Sequence, residues 1–116
     1  MPHIVVEYSK NLESSVDMGS MLGGLHDTLA EQGIDKTRIK TRAIAVDHSV
    51  VGEAAVDAGK MVHIELRLLE GRDEETKMTY GKAVHQAAKS RIADTNPDAA
   101  ITLEVRDMTK ATYILS

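Results

Sequence analysis

The chain has 116 residues, a net charge of −4 and no cysteine, which excludes disulfides, thiolate chemistry and Cys-ligated metal. Its length suits a single domain over residues 1–116. No basic tract points to nucleic acid, and no apolar run approaches the ~18 residues of a membrane span.

The first element in chain order is a strand, HIVVEY (3–8), rich in β-branched residues. A helix follows from near Ser14 or Ser15. Its apolar positions Met18, Met21, Leu22, Leu25 and Leu29 lie three or four apart, and Gly33 ends it. Gly23 and Gly24 inside that helix each cost about 1 kcal/mol against alanine. They read as close packing of the helix on a sheet, since a phosphate loop needs more glycines than this pair. IKTRAIAV (39–46) is the second strand. Residues 47–59 form a connection with a short ordered element inside it. KMVHIELRLL (60–69) is the third strand, and residues 70–72 turn the chain. Asp73 caps a second helix, whose apolar face carries Tyr80, Val84, Ala87, Ala88 and Ile92. Asn96-Pro97 marks a turn, AITLEVRD (100–107) a fourth strand, and ATYIL (111–115) a short C-terminal strand.

The order is strand, helix, strand, then the same again, at a spacing near 60 residues. It predicts an α+β fold: two β-α-β repeats forming one four-stranded sheet with two helices on one face, plus the C-terminal strand. Phe and Trp are absent, so the core is built from small aliphatic side chains, with Tyr8, Tyr80 and Tyr113 as the only aromatics. A partner subunit that buries further surface is expected to help. Val62, Ile64, Leu66 and Leu68 alternate with His63, Glu65 and Arg67, and the other strands repeat the pattern. The apolar set faces the helices. The charged set is either a solvated face or a subunit interface. No N-terminal segment reads as a signal peptide, so a cytoplasmic protein is expected.

Two groups carry potential chemistry. Pro2 follows Met1, and a small residue there permits removal of the methionine. The chain would then start with a secondary amine, which burial and nearby cations make a better base near neutral pH. Alternatively, Pro2 simply begins a strand, where its missing N–H is harmless. The second group is cationic. Arg38, Lys40 and Arg42 recur at period two along a strand, and Arg72 follows the turn glycine. Arginine forks match carboxylates, so an anion with two or more carboxylates would suit them; solvated surface charge is the alternative. His3, His26, His48, His63 and His85 have no metal-ligand spacing, so no metal or cofactor is expected.

With these residues in view, MPHIVVEYS, TRAIAVD (41–47) and MVHIELRLLEGR (61–72) resemble the 5-carboxymethyl-2-hydroxymuconate Δ-isomerase family, a branch of the tautomerase superfamily. The resemblance runs from Pro2 to about Arg106. It implies a homotrimeric, cofactor-independent isomerase of aromatic-compound catabolism, whose amino-terminal proline is the general base. That role falls on Pro2. It implies that cations hold the carboxylates of a dicarboxylate or tricarboxylate dienol, and the matching positions are Lys40, Arg42 and Arg72. Lys40 stands where the family carries arginine, which keeps the charge but loses the fork and bears on substrate identity. A trimer would bring the helix-free faces together, with His3, Glu7, His63, Glu65, Glu104 and Arg106 as candidates for pairing between chains. The C-terminal strand would cover a neighbour's sheet edge. A non-catalytic trimeric ligand-binding module on the same scaffold is the alternative function.

Overall fold

In a computed structural model, which describes residues 1–116, the alternating segments form a four-stranded sheet in the order β2-β1-β3-β4. The strands are β1 (His3–Ser9), β2 (Lys40–Val46), β3 (Met61–Leu69) and β4 (Ala100–Met108), with helices α1 (Met18–Ala30) and α2 (Glu74–Ile92). β1 runs parallel to β2, β3 runs parallel to β4, and the two halves meet where β1 and β3 pair antiparallel. The repeat extends to single bonds. Lys40 N donates to Pro2 O at 3.0 Å, and Ala100 N donates to Lys60 O at 3.0 Å.

The alternation in β3 has the predicted consequence. Val62, Ile64, Leu66 and Leu68 are fully buried, as are Ile4 and Val6 of β1. They pack with Met21, Leu25 and Leu29 of α1 and Val84, Ala88 and Ile92 of α2 in one core. Burying side chains of this size stabilises by roughly 1.5–3 kcal/mol each. Both helices therefore cover the same face of the sheet. Asp73 caps α2 as expected, its carboxylate accepting Thr76 N at 2.8 Å. No helix is long and apolar enough to cross a membrane.

On the helix-free face, the charges find partners within one chain. Arg67 donates to Glu65, and Arg106 donates to Glu104 at 2.8 Å. His63 Nδ1 meets the Thr102 hydroxyl at 2.7 Å.

Four local expectations need correction. α1 starts at Met18 rather than near Ser15, because Asp17 accepts Ser20 N at 3.1 Å and so forms the N-cap. The stretch before it makes a 3₁₀ turn, Lys10–Leu12, that buries Leu12. Gly24 is close-packed, but against α2, where a Cβ would meet the Arg91 guanidinium, and Gly23 has open space beside it rather than the sheet. Residues 47–59 contain turns and no regular element, with the Asp57 carboxylate accepting Ser49 N at 2.9 Å. The short C-terminal strand is not formed within the chain. Glu70 accepts Lys110 N at 2.7 Å, and Lys110–Thr112 curl into a 3₁₀ turn, after which the Tyr113 hydroxyl meets His3 Nε2 of β1 at 3.0 Å. Ile114 beyond it is 93% exposed.

Candidate active site

The start of β1, the segment after α1 and the start of α2 converge on a cleft of about 340 Å³, whose lining includes Met1, Pro2, Asp35, Arg38, Arg72 and Tyr80. Each wall follows from local chemistry. Pro2 is buried and fixed through its carbonyl, which accepts from Lys40 N. Gly71 has φ of +121°, a backbone conformation open to glycine, and this turn delivers Arg72 to the cleft. The Arg72 guanidinium stacks over the Tyr80 ring at 5.7 Å from its centroid. It also approaches Leu69 O at 3.5 Å. Tyr80 reaches the cleft from the second turn of α2.

The terminal amine, carried here by Met1, donates to Arg38 O at 2.9 Å. Its pKa is held below the ordinary α-amino value, first by burial and then by the Lys40 and Arg38 cations. Asp35 opposes that shift, and Arg72 adds to it. Electrostatically, this end of the molecule favours a neutral amine.

Of the sequence-derived candidates, Pro2 and Arg72 come together in the cleft. Lys40 and Arg42 lie outside its lining. Lys40 Nζ points back to Arg38 O at 3.3 Å. Arg42 Nη1 donates to His3 Nδ1 at 3.0 Å, which leaves the His3 proton on Nε2, 3.0 Å from the Tyr113 hydroxyl. Burial and then the Arg42 and Lys40 charges lower the His3 pKa, consistent with that neutral ring. Arg38 does not share a strand with Lys40 and Arg42. It ends the 3₁₀ turn Lys36–Arg38, which Asp35 caps by accepting Thr37 N at 3.0 Å. The Asp-x-Thr spacing is the local sign of that turn. Tyr80 read only as part of a helix face, and its place against Arg72 follows from the geometry of the preceding turn. No group of three or more His, Asp or Glu side chains is arranged to hold a metal ion.

The paired β-α-β sheet, with Pro2 buried at the start of β1, places the chain in the tautomerase superfamily. Within it, a model of the 5-carboxymethyl-2-hydroxymuconate isomerase family matches residues 2–114, and the chain belongs to that family. A crystal structure of a 5-carboxymethyl-2-hydroxymuconate delta-isomerase superposes with a TM-score of 0.82 at 23% identity, covering 100% of this chain and 87% of its own. A 5-carboxymethyl-2-hydroxymuconate isomerase from Deinococcus radiodurans R1 gives 0.86 at 22% identity, covering 99% and 88%. A fused 4-OT wild-type symmetric trimer gives 0.74 at 18% identity, covering 98% and 91%. At these identities the likeness establishes the fold. No curated protein matches the chain by sequence.

Proposed function

We propose that the protein ketonises a 2-hydroxymuconate-type dienol carboxylate to its α,β-unsaturated ketone, with the Pro2 nitrogen as general base once Met1 is removed. The observation that carries this reading is the convergence of Pro2 and Arg72 in one cleft, beside the chain end where the Met1 amine has a lowered pKa. Neutral Pro2 nitrogen accepts the proton of the 2-hydroxyl. The electron pair moves into the conjugated chain as a dienolate. The Pro2 ammonium then returns the proton to a carbon further along, so no net proton is gained or lost. Arg72, preset by Tyr80 and the Gly71 turn, holds a carboxylate and stabilises the charge that develops on the dienolate. Lys40 lowers the pKa of the Met1 amine from outside the cleft, and a cation fixed there disfavours a charged Pro2 amine in the same way. Arg42 does not reach the cleft of its own chain, so a substrate contact for it requires a neighbouring subunit in a homotrimer.

The test is an ultraviolet assay on a panel of 2-hydroxymuconate-type dienols, using protein whose N-terminus is verified by intact mass. Enzyme-dependent ketonisation of at least one dicarboxylate dienol is expected. Ketonisation no faster than in buffer for every member would overturn the reading and favour a ligand-binding module.

A further inference from the structure

We propose that Arg38 reads the second carboxylate of the ligand, making this cleft selective for dianions over monoanions. The proposal rests on the functional reading above for where the ligand sits, and adds to it a specificity-determining residue. Arg38 is held beside the chain end by the 3₁₀ turn it closes: its N–H donates to Asp35 O at 3.0 Å and its carbonyl accepts Lys40 Nζ, bonds that do not depend on Met1. Its side chain therefore springs from a fixed point in the cleft wall that also carries Pro2.

The guanidinium is available. It is 60% exposed and makes no hydrogen bond within the chain. Its one ion pair is to Asp35, at 3.6 Å between Nε and Oδ2. Asp35 is already committed through Oδ1 to the Thr37 N–H at 3.0 Å and the Thr37 hydroxyl at 2.8 Å. An exposed pair at that separation holds weakly, and an incoming carboxylate that accepts two parallel N–H bonds replaces it. Arg72 is the other fork on the same cleft, supplied by a different segment of chain. Two separately mounted forks suit a ligand with carboxylates at both ends better than a monoanion. Arg38 is thus the second guanidinium of the cleft within one chain, since Lys40 and Arg42 point elsewhere.

The test uses calorimetry with two unreactive probes of similar length, adipate and hexanoate, on the wild-type protein with a verified N-terminus. R38A should weaken adipate by about tenfold or more, the size of one lost charged contact, and hexanoate by no more than about twofold. R38K should fall between wild type and R38A for adipate, because it keeps the charge without the fork. D35N removes the competing charge while keeping an oxygen for Thr37, and should tighten adipate several-fold, to an extent on the order of a surface ion pair. Equal losses for both probes in R38A, unchanged adipate binding in R38A, or no binding of adipate to the wild type would each overturn the proposal. Ketonisation is scored separately. Adipate selectivity that depends on Arg38, in a protein that ketonises nothing, supports this assignment and removes the catalytic one.

Discussion

Glu65 lies in mid-strand on the helix-free face, with Arg67 bonded to it and Arg106 at 3.9 Å. The Arg67 hydrogen bond first, and then the two arginine charges, hold its carboxyl below the ordinary glutamate value of 4.5, while burial works the other way. A carboxyl depressed in the folded state contributes stability that is fully present above the unfolded value. That stability is lost as pH falls through the folded value. The melting temperature should therefore decline below roughly pH 4.5, and Glu65→Gln should flatten that decline in a thermal-melt series. The same variant should be less stable at pH 7 by about 1 kcal/mol, because Arg67 loses a charged partner. An unchanged slope with pH would show that this pair does not govern acid stability. Residue roles of this kind were only partly legible in the sequence. Arg72 after a turn glycine was visible as a candidate. Arg38 read as one of three strand cations, because the period-two spacing with Lys40 and Arg42 concealed the turn that Asp35 caps.

Among the elements, β3 and α2 were the most readable. Strict alternation over Met61–Leu69 and a capping Asp73 each have one low-energy solution, and the structure adopts both. The start of α1 was harder. The cap falls on Asp17 rather than on Ser14 or Ser15, because Leu12 and Val16 are drawn into the core ahead of the helix. The tail forms no strand within one chain for a related reason: an apolar run such as YIL suggests a strand but does not supply a sheet edge to join. The turn between β3 and α2 matters most for the cleft, since Gly71 aims Arg72. Nothing but the Lys110 amine lies within 4 Å of a Cβ built at Gly71, at 3.8 Å, so Gly71→Ala strains the backbone without crowding it. It should destabilise by about 1–3 kcal/mol in urea unfolding, and should raise KM for dienol substrates by displacing Arg72. Unaltered stability and KM would mean that the turn tolerates a side chain and does not set the position of Arg72.

At the scale of the whole molecule, the internal repeat offers two equivalent ends, of which one carries an arginine-lined cleft. The repeat places Lys60 where the first half has Pro2, and both carbonyls accept from the start of the neighbouring parallel strand. At the Lys60 end, a cleft of about 370 Å³ has no arginine in its lining. Lys60 Nζ is tied to Asn96 Oδ1 at 2.7 Å, and the polar atoms of Asn96 are engaged by Ser15, Thr95 and the Ile92 carbonyl. Duplicated architecture with one equipped end explains why the fold pattern was easy to read from the repeat, whereas the site depends on residues in which the halves differ. The outer edges of β2 and β4 and the apolar tail remain uncovered in a single chain. We therefore expect a homotrimer by light scattering, at three times the chain mass of 12.6 kDa; a monomeric mass would remove the subunit contact proposed for Arg42. Proton transfer by the Pro2 amine is tested by comparing ketonisation of a dicarboxylate dienol by protein with a free Pro2 terminus and by protein whose terminus is blocked with an N-terminal extension. Blocking should lower turnover by at least about a hundredfold, the scale of a lost general base; full activity with a blocked terminus would show that Pro2 is not the base.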